Sequence, residues 1–111
     1  MPKLILLKTE QDFSQFRTGK SYQTPLIRIR VAAGRNQNIP RFGFIIPKKR
    51  IPKAVKRNLL KRRIKAVLQK VLSKLKIADV LIFPQANLLK KKFVDVEKEI
   101  ELIFTKAHLW K

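Results

Sequence analysis

Few side chains in this sequence could do chemistry by themselves. There is one histidine, His108, and no cysteine, which excludes a paired-histidine nuclease centre and any thiolate metal site. Asp95, Glu97, Glu99 and Glu101 alternate along one segment near the end. On a helix such neighbours diverge, so only Asp95 with Glu99, or Glu97 with Glu101, can meet. Lys98 and the positive end of a helix account for these carboxylates without a metal. His108 and Trp110 read as surface anchors near the terminus. No Ser-His-Asp or Cys-His arrangement is recognisable, so independent hydrolysis is not expected. The cations are another matter. No acidic residue occurs from Phe13 to Ala78, yet nineteen of the twenty-seven Lys and Arg fall there, and the 111 residues carry a net charge of +20. Crowded like charges repel in a compact state. Such a surface makes sense against a dense polyanion, and nucleic acid is the obvious one.

The elements that must carry this charge can be read from the hydrophobic pattern. An apolar content of 45% is that of a globular protein, and the length fits a single domain over residues 1–111. The first residues offer only four consecutive apolar positions, Leu4 to Leu7. That is too short for a secretory core or a membrane span, and a cysteine-free chain is compatible with a reducing cytosol. Thr9-Glu10-Gln11-Asp12 looks like a helix start, predicting a short helix near residues 10–17 that sets Phe13 and Phe16 on one side. Leu26–Val31 alternates with period two, Ile27, Ile29 and Val31 facing one way and Arg28 and Arg30 the other. Turn-rich residues 34–38 lead to a second strand at Arg41–Ile46, predicting a hairpin.

Pro47 and Pro52 bracket a connection, after which a helix of roughly 34 Å runs from about Lys53 to Leu75. Val80–Phe83 reads as a buried strand and Asp95–Ala107 as a final helix. The expected fold is therefore α+β: a two-layer sandwich with about four strands in one mixed sheet and three helices, in the order α-β-β-β-α-β-α. On the long helix, Leu60, Ile64, Val67, Leu68, Val71 and Leu75 form one apolar stripe. One flank carries Asn58, Lys61, Arg62 and Lys65, with Arg57 at the stripe's edge. The other carries Lys56, Arg63, Lys70 and Lys74. The sequence offers no acid to pair with any of them, whereas an ordinary solvated helix intersperses acids at i,i+4.

The segment Lys53-Ala54-Val55-Lys56-Arg57-Asn58-Leu59-Leu60-Lys61-Arg62-Arg63-Ile64-Lys65 resembles the "RNR" signature helix of the bacterial ribonuclease P protein component. Gly43-Phe44-Ile45-Ile46-Pro47-Lys48-Lys49 is similar to that family's Gly-x-x-x-Ser-Lys-Lys strand end. Asp12-Phe13, Phe16 and Gly19 are similar to its N-terminal pattern, with Phe13 and Phe16 one residue closer than that pattern has them, and Asp79–Phe83 resembles its late strand. The sequence departs at Leu59, where the signature usually has a second Arg, at Pro47 in place of Ser, and at Pro52 in place of Gly.

The resemblance implies the protein subunit of a ribonucleoprotein endonuclease that removes the 5′ leader of precursor tRNA, with Mg²⁺-dependent catalysis by the RNA subunit. It implies contact with the catalytic RNA through Arg57, Asn58, Lys61, Arg62 and Lys65, with Lys53, Lys48 and Lys49 nearby. It also implies a leader-binding cleft, lined by Phe13 and Phe16, between the first helix and the open sheet face. From the residues alone, Arg28 and Arg30 suit such a groove, because single strands are held by cations beside aromatic platforms. The implied partners are the catalytic RNA and precursor tRNA, with no membrane and no obligatory protein partner, in the cytoplasm, and no cofactor held by this chain alone. A purely structural RNA-binding protein is the alternative. A membrane-surface helix is disfavoured because its apolar stripe is needed for the core.

Overall fold

A computed structural model describes residues 5–6, 19–33 and 40–111. Period-two alternation builds its sheet. The strands are β1 (Ile5–Leu6), β2 (Lys20–Gln23), β3 (Ile27–Ala33), β4 (Arg41–Phe44) and β5 (Ala78–Pro84). Their spatial order is β1-β4-β5-β3-β2. β1 and β5 run parallel to β4, whereas β3 runs antiparallel to both β2 and β5, so the sheet is mixed as expected. About four strands were expected, and among the described residues there are four of four to seven residues together with the two-residue β1. β1 is only two residues long, and β2 (Lys-Ser-Tyr-Gln) carries no apolar alternation that would mark it in the sequence.

The expected hairpin between the strands at 26–31 and 41–46 does not form. β5 lies between them, and β3 makes its hairpin with β2 instead. The reason lies in β5, whose seven residues are all buried except the half-buried Phe83. A strand covered on both faces belongs at the centre of a sheet, with neighbours on both edges. The long helix supplies the crossover that parallel β4 and β5 require. Thr24 closes the β2–β3 turn: its hydroxyl donates to the Ile27 carbonyl at 3.2 Å and accepts from the Ile27 amide at 3.2 Å.

Two α-helices lie among the described residues, α1 (Ala54–Val71) and α2 (Phe93–Lys106). The first helix expected at 10–17, with Phe13 and Phe16, lies outside the described residues. α1 stops short of Leu75, giving way to a 3-10 turn at Leu72–Lys74. Even so, all six stripe residues are buried. They meet Val96, Ile100, Ile103 and Phe104 of α2 and the inward side chains Ile27, Ile29, Phe42, Val80 and Ile82 of the sheet in one core. The helices therefore cover one face of the sheet. Full burial of each large aliphatic side chain contributes about 1.5–3 kcal/mol, which fixes α1 in rotation and decides which of its residues face outward.

Residues 109–111 are tied to the segment that follows α1. Leu75 and Trp110 form a bridge, the Lys76 amide donates to the Leu109 carbonyl at 2.7 Å, and the Lys111 amide to the Lys74 carbonyl at 2.9 Å. Trp110 is an anchor, as expected, but a half-buried one. Its ring stands edge-on to Phe104 at 6.0 Å, and its Nε1 donates to Thr105 Oγ1 at 3.0 Å.

Candidate nucleic-acid interface

Burial of the stripe leaves the two flanks of α1 exposed to different surroundings. Asn58 and Arg62 are exposed, Lys61 and Lys65 half-buried. None of the four has a hydrogen-bond or ion-pair partner among the described residues. The other flank is partly engaged. Arg63 donates to the Leu89 carbonyl at 3.2 Å, and Lys70 Nζ lies 2.7 Å from Glu97 Oε2 on α2. The expectation that no acid serves these cations is thus corrected at Lys70. Glu97 is remote in sequence and reaches Lys70 only because α1 and α2 pack side by side.

The start of α1 adds to the field. Lys53 occupies the N-cap position with no side-chain cap, and the first turn contains no acid. Cations at the positive end of a helix are unfavourable by themselves, while an anion there is stabilised. Arg57 is half-buried and serves the fold: Nη1 donates to the carbonyls of Ile51 and Pro52, each at 2.8 Å. Its remaining donors leave scope for a phosphate. Lys48 and Lys49 are exposed in the turn that precedes Ile51.

The face of the sheet turned away from the helices carries the second group. Alternation sends Arg28, Arg30 and Ala32 of β3 to that side, together with Asp79, Leu81 and Phe83 of β5. Ala32 and Leu81 form a small apolar cluster there with Ile45 and Phe83. Arg28 pairs with Phe83 across the strands, and its guanidinium stands 4.3 Å from the ring centroid. These two side chains line a cleft of about 280 Å³ with Gln23, Ile45, Pro47 and Arg50. Arg30 is half-buried and has a partner. Arg41 grips the fully buried Asp79 with both arms, Nε to Oδ1 at 2.9 Å and Nη2 to Oδ2 at 2.7 Å.

Arg57, Asn58, Lys61, Arg62, Lys65 and Lys53 are thus brought together along α1, with Lys48 and Lys49 in the turn before it, while Arg28 and Arg30 share the sheet face turned away from the helices. Phe13 and Phe16 are outside the described residues. Sequence reasoning missed Phe83 and Arg50. Phe83 was legible in part, since the inward setting of Val80 and Ile82 puts residue 83 outward. Its meeting with Arg28 depends on the β3–β5 register, which no local pattern reveals. Arg50 looked like one more cation in a connecting loop, but its Nη1 donates to Gln85 Oε1 at 3.1 Å and so fixes the loop beside the end of β5. Among the described residues no group of His, Asp or Glu is placed to hold a metal ion, and no helix is long and apolar enough to cross a membrane.

The ribonuclease P family model matches residues 1–108. A ribonuclease P protein component from Synechocystis is 31% identical over 109 residues, covering 96% of this chain and 88% of that protein. Among solved structures, the ribonuclease P protein of Staphylococcus aureus superposes with a TM-score of 0.87 at 19% identity, covering 98% of this chain and 100% of the other. That of Thermotoga maritima gives 0.74 at 25% identity, covering 87% and 93%. The mixed sheet, the two packed helices and the signature segment on α1 agree with this grouping. The chain belongs to the ribonuclease P protein family, the protein components of an endoribonuclease.

Proposed function

We propose that this protein binds the catalytic RNA of ribonuclease P and the 5′ leader of precursor tRNA, and so promotes removal of the leader in tRNA 5′ maturation. The observation that carries the reading is the flank Asn58, Lys61, Arg62 and Lys65, held rigidly by the buried stripe behind it and given no partner by the described residues. Cations one turn apart are about 5–6 Å from each other, which suits contacts to neighbouring phosphates. Arg62 and the free donors of Arg57 can grip phosphate bidentately, whereas lysines act as point charges. Lys48, Lys49 and Lys53 extend the same surface.

The leader is assigned to the Arg28–Phe83 cleft on the sheet face turned away from the helices. There Phe83 offers a base a platform and Arg28 and Arg30 supply positive charge, while the resemblance to the family adds Phe13 and Phe16 as candidate leader contacts. Mg²⁺ enters with the RNA subunit, which performs the hydrolysis, and the assembly works in the cytoplasm without an obligatory protein partner. Reconstitution tests this. Purified protein should stimulate leader removal by a cognate catalytic RNA at low Mg²⁺ and should cleave nothing without that RNA. Cleavage by the protein alone, or no stimulation, would refute it.

A further inference from the structure

Three depressions at one end of the molecule share a single residue, Arg50. One is the Arg28–Phe83 cleft and one is shallow. The third, about 490 Å³, lies between the start of α1 and the 3-10 turn Ala86–Lys90. Its volume falls within the roughly 300–1,000 Å³ typical of small-ligand sites. The floor is aliphatic, formed by Ile51, Pro52, Leu59 and Leu89, and the rim is cationic, with Lys53, Lys56 and Lys90 beside Arg50. Among the described residues no carboxylate lines it.

An aliphatic floor open to water and a ring of like charges both disfavour the empty state. One kind of ligand relieves both: a flat, weakly polar ring joined to phosphates. A nucleotide has this form, the base on the floor and the flanking phosphates at the rim. The base must be unpaired, because a base inside a duplex has its faces stacked on its neighbours. Leu59 is central here. An arginine, usual at this point of the family's signature, would bring a charge into the pocket, whereas leucine keeps the floor apolar.

Two observations favour the leader over the catalytic RNA as the source of that nucleotide. Through Arg50 the pocket is continuous with the cleft assigned to the leader. It also opens on the flank of α1 that carries Lys56, Leu59 lying about 160° from Lys61 and about 120° from Lys65 on a helix that turns 100° per residue, with Arg62 at about 60° marking the border between the two flanks. We infer that this pocket is a second leader subsite, taking one unpaired nucleotide beyond the stretch held at Arg28 and Phe83. Its base rests on Leu59 and Leu89, and its phosphates lie among Arg50, Lys53 and Lys56. The inference rests on the leader reading of the sheet face.

The test is a leader-length series bound to reconstituted holoenzyme. Precursors lengthened one nucleotide at a time are compared with mature tRNA, using the unaltered protein, Leu59→Gln and Ala86→Phe. The second variant plugs the pocket from its exposed lip and keeps a readout should the first fail to fold. With the unaltered protein, affinity should rise in two steps as the leader grows. The second step should be about five- to tenfold, the lower range of base-stacking contributions, since the floor is aliphatic. Both variants should lose the second step and retain the first. A second step that persists in both variants, or one never seen, overturns the inference alone. Weakened binding of the catalytic RNA by both variants would also overturn it, by giving the pocket to assembly. Absence of the first step would sink the leader reading beneath it.

Discussion

The sheet face turned away from α1 and α2 and the outer flank of α1 are both rich in cations, but they use them differently. On the sheet, Arg41 is clamped to buried Asp79, Arg28 lies over Phe83, and Arg30 has a partner of its own. On α1, Asn58, Lys61, Arg62 and Lys65 have no such partners among the described residues. The sheet arginines serve the fold first and a ligand second. The polar ends of the flank have no side-chain partner among the described residues and repel one another, which favours an anion docking there. Substitutions in the two regions should therefore separate into losses of stability and losses of RNA affinity.

The sharpest separation is at Arg41. Arg41→Ala removes the two-armed grip of its guanidinium on the fully buried Asp79 carboxylate, and breaking a buried pair from one side typically costs about 3–5 kcal/mol. For a domain of this size the melting temperature should fall by about 10 °C or more. A fall of only a degree or two would mean that the sheet cations are as dispensable to the fold as those of the flank. Next in size is the response to anions. A ligand that binds only the folded state at a hundred times its Kd stabilises by about 2.7 kcal/mol. Phosphate or sulfate at constant ionic strength should accordingly raise the melting temperature, and raise it less after Lys61, Arg62 and Lys65 are replaced by Ala. No rise would remove the argument from repulsion.

Arg28→Ala should cost about 1 kcal/mol or less in stability, the scale of an exposed cation–π contact. In the holoenzyme it should nevertheless reduce discrimination between leader-bearing precursor and mature tRNA. Equal loss of affinity for both RNAs would show that the sheet face does not read the leader. The smallest effect is expected at Lys70, whose pairing with Glu97 is largely exposed on the lysine side. Glu97→Gln should cost less than about 1 kcal/mol, and less still at high salt. A larger cost would make this flank part of the structural framework.

Much of this division could be read from the sequence because α1 is governed by a local rule. The 3.6-residue period of Leu60, Ile64, Val67, Leu68 and Val71 fixes which side is buried, and hence that Asn58, Lys61, Arg62 and Lys65 stay outside. The alternation in β3 likewise assigns Arg28 and Arg30 to the face away from Ile27 and Ile29. What escaped were facts of pairing over long separations. The insertion of β5 between β3 and β4, the Arg28–Phe83 contact and the Lys70–Glu97 pair depend on sheet order and helix packing, which no short window of residues encodes. A turn-rich segment at 34–38 looks like a hairpin loop wherever the following strand finally docks. The 3-10 turn that ends α1 before Leu75 was hidden for a similar reason, since Leu75 is buried as the stripe requires.

The most direct test of the central claim is the salt dependence of affinity for the catalytic RNA, measured with the unaltered protein and with Lys61, Arg62 and Lys65 together replaced by Ala. Removing one cation from a phosphate should lower the slope of log affinity against log salt by about 1. The triple variant should therefore bind more weakly at low salt, with a slope reduced by about 2–3 and an unchanged fold. A slope and affinity identical to those of the unaltered protein would show that the flank of α1 does not meet the RNA.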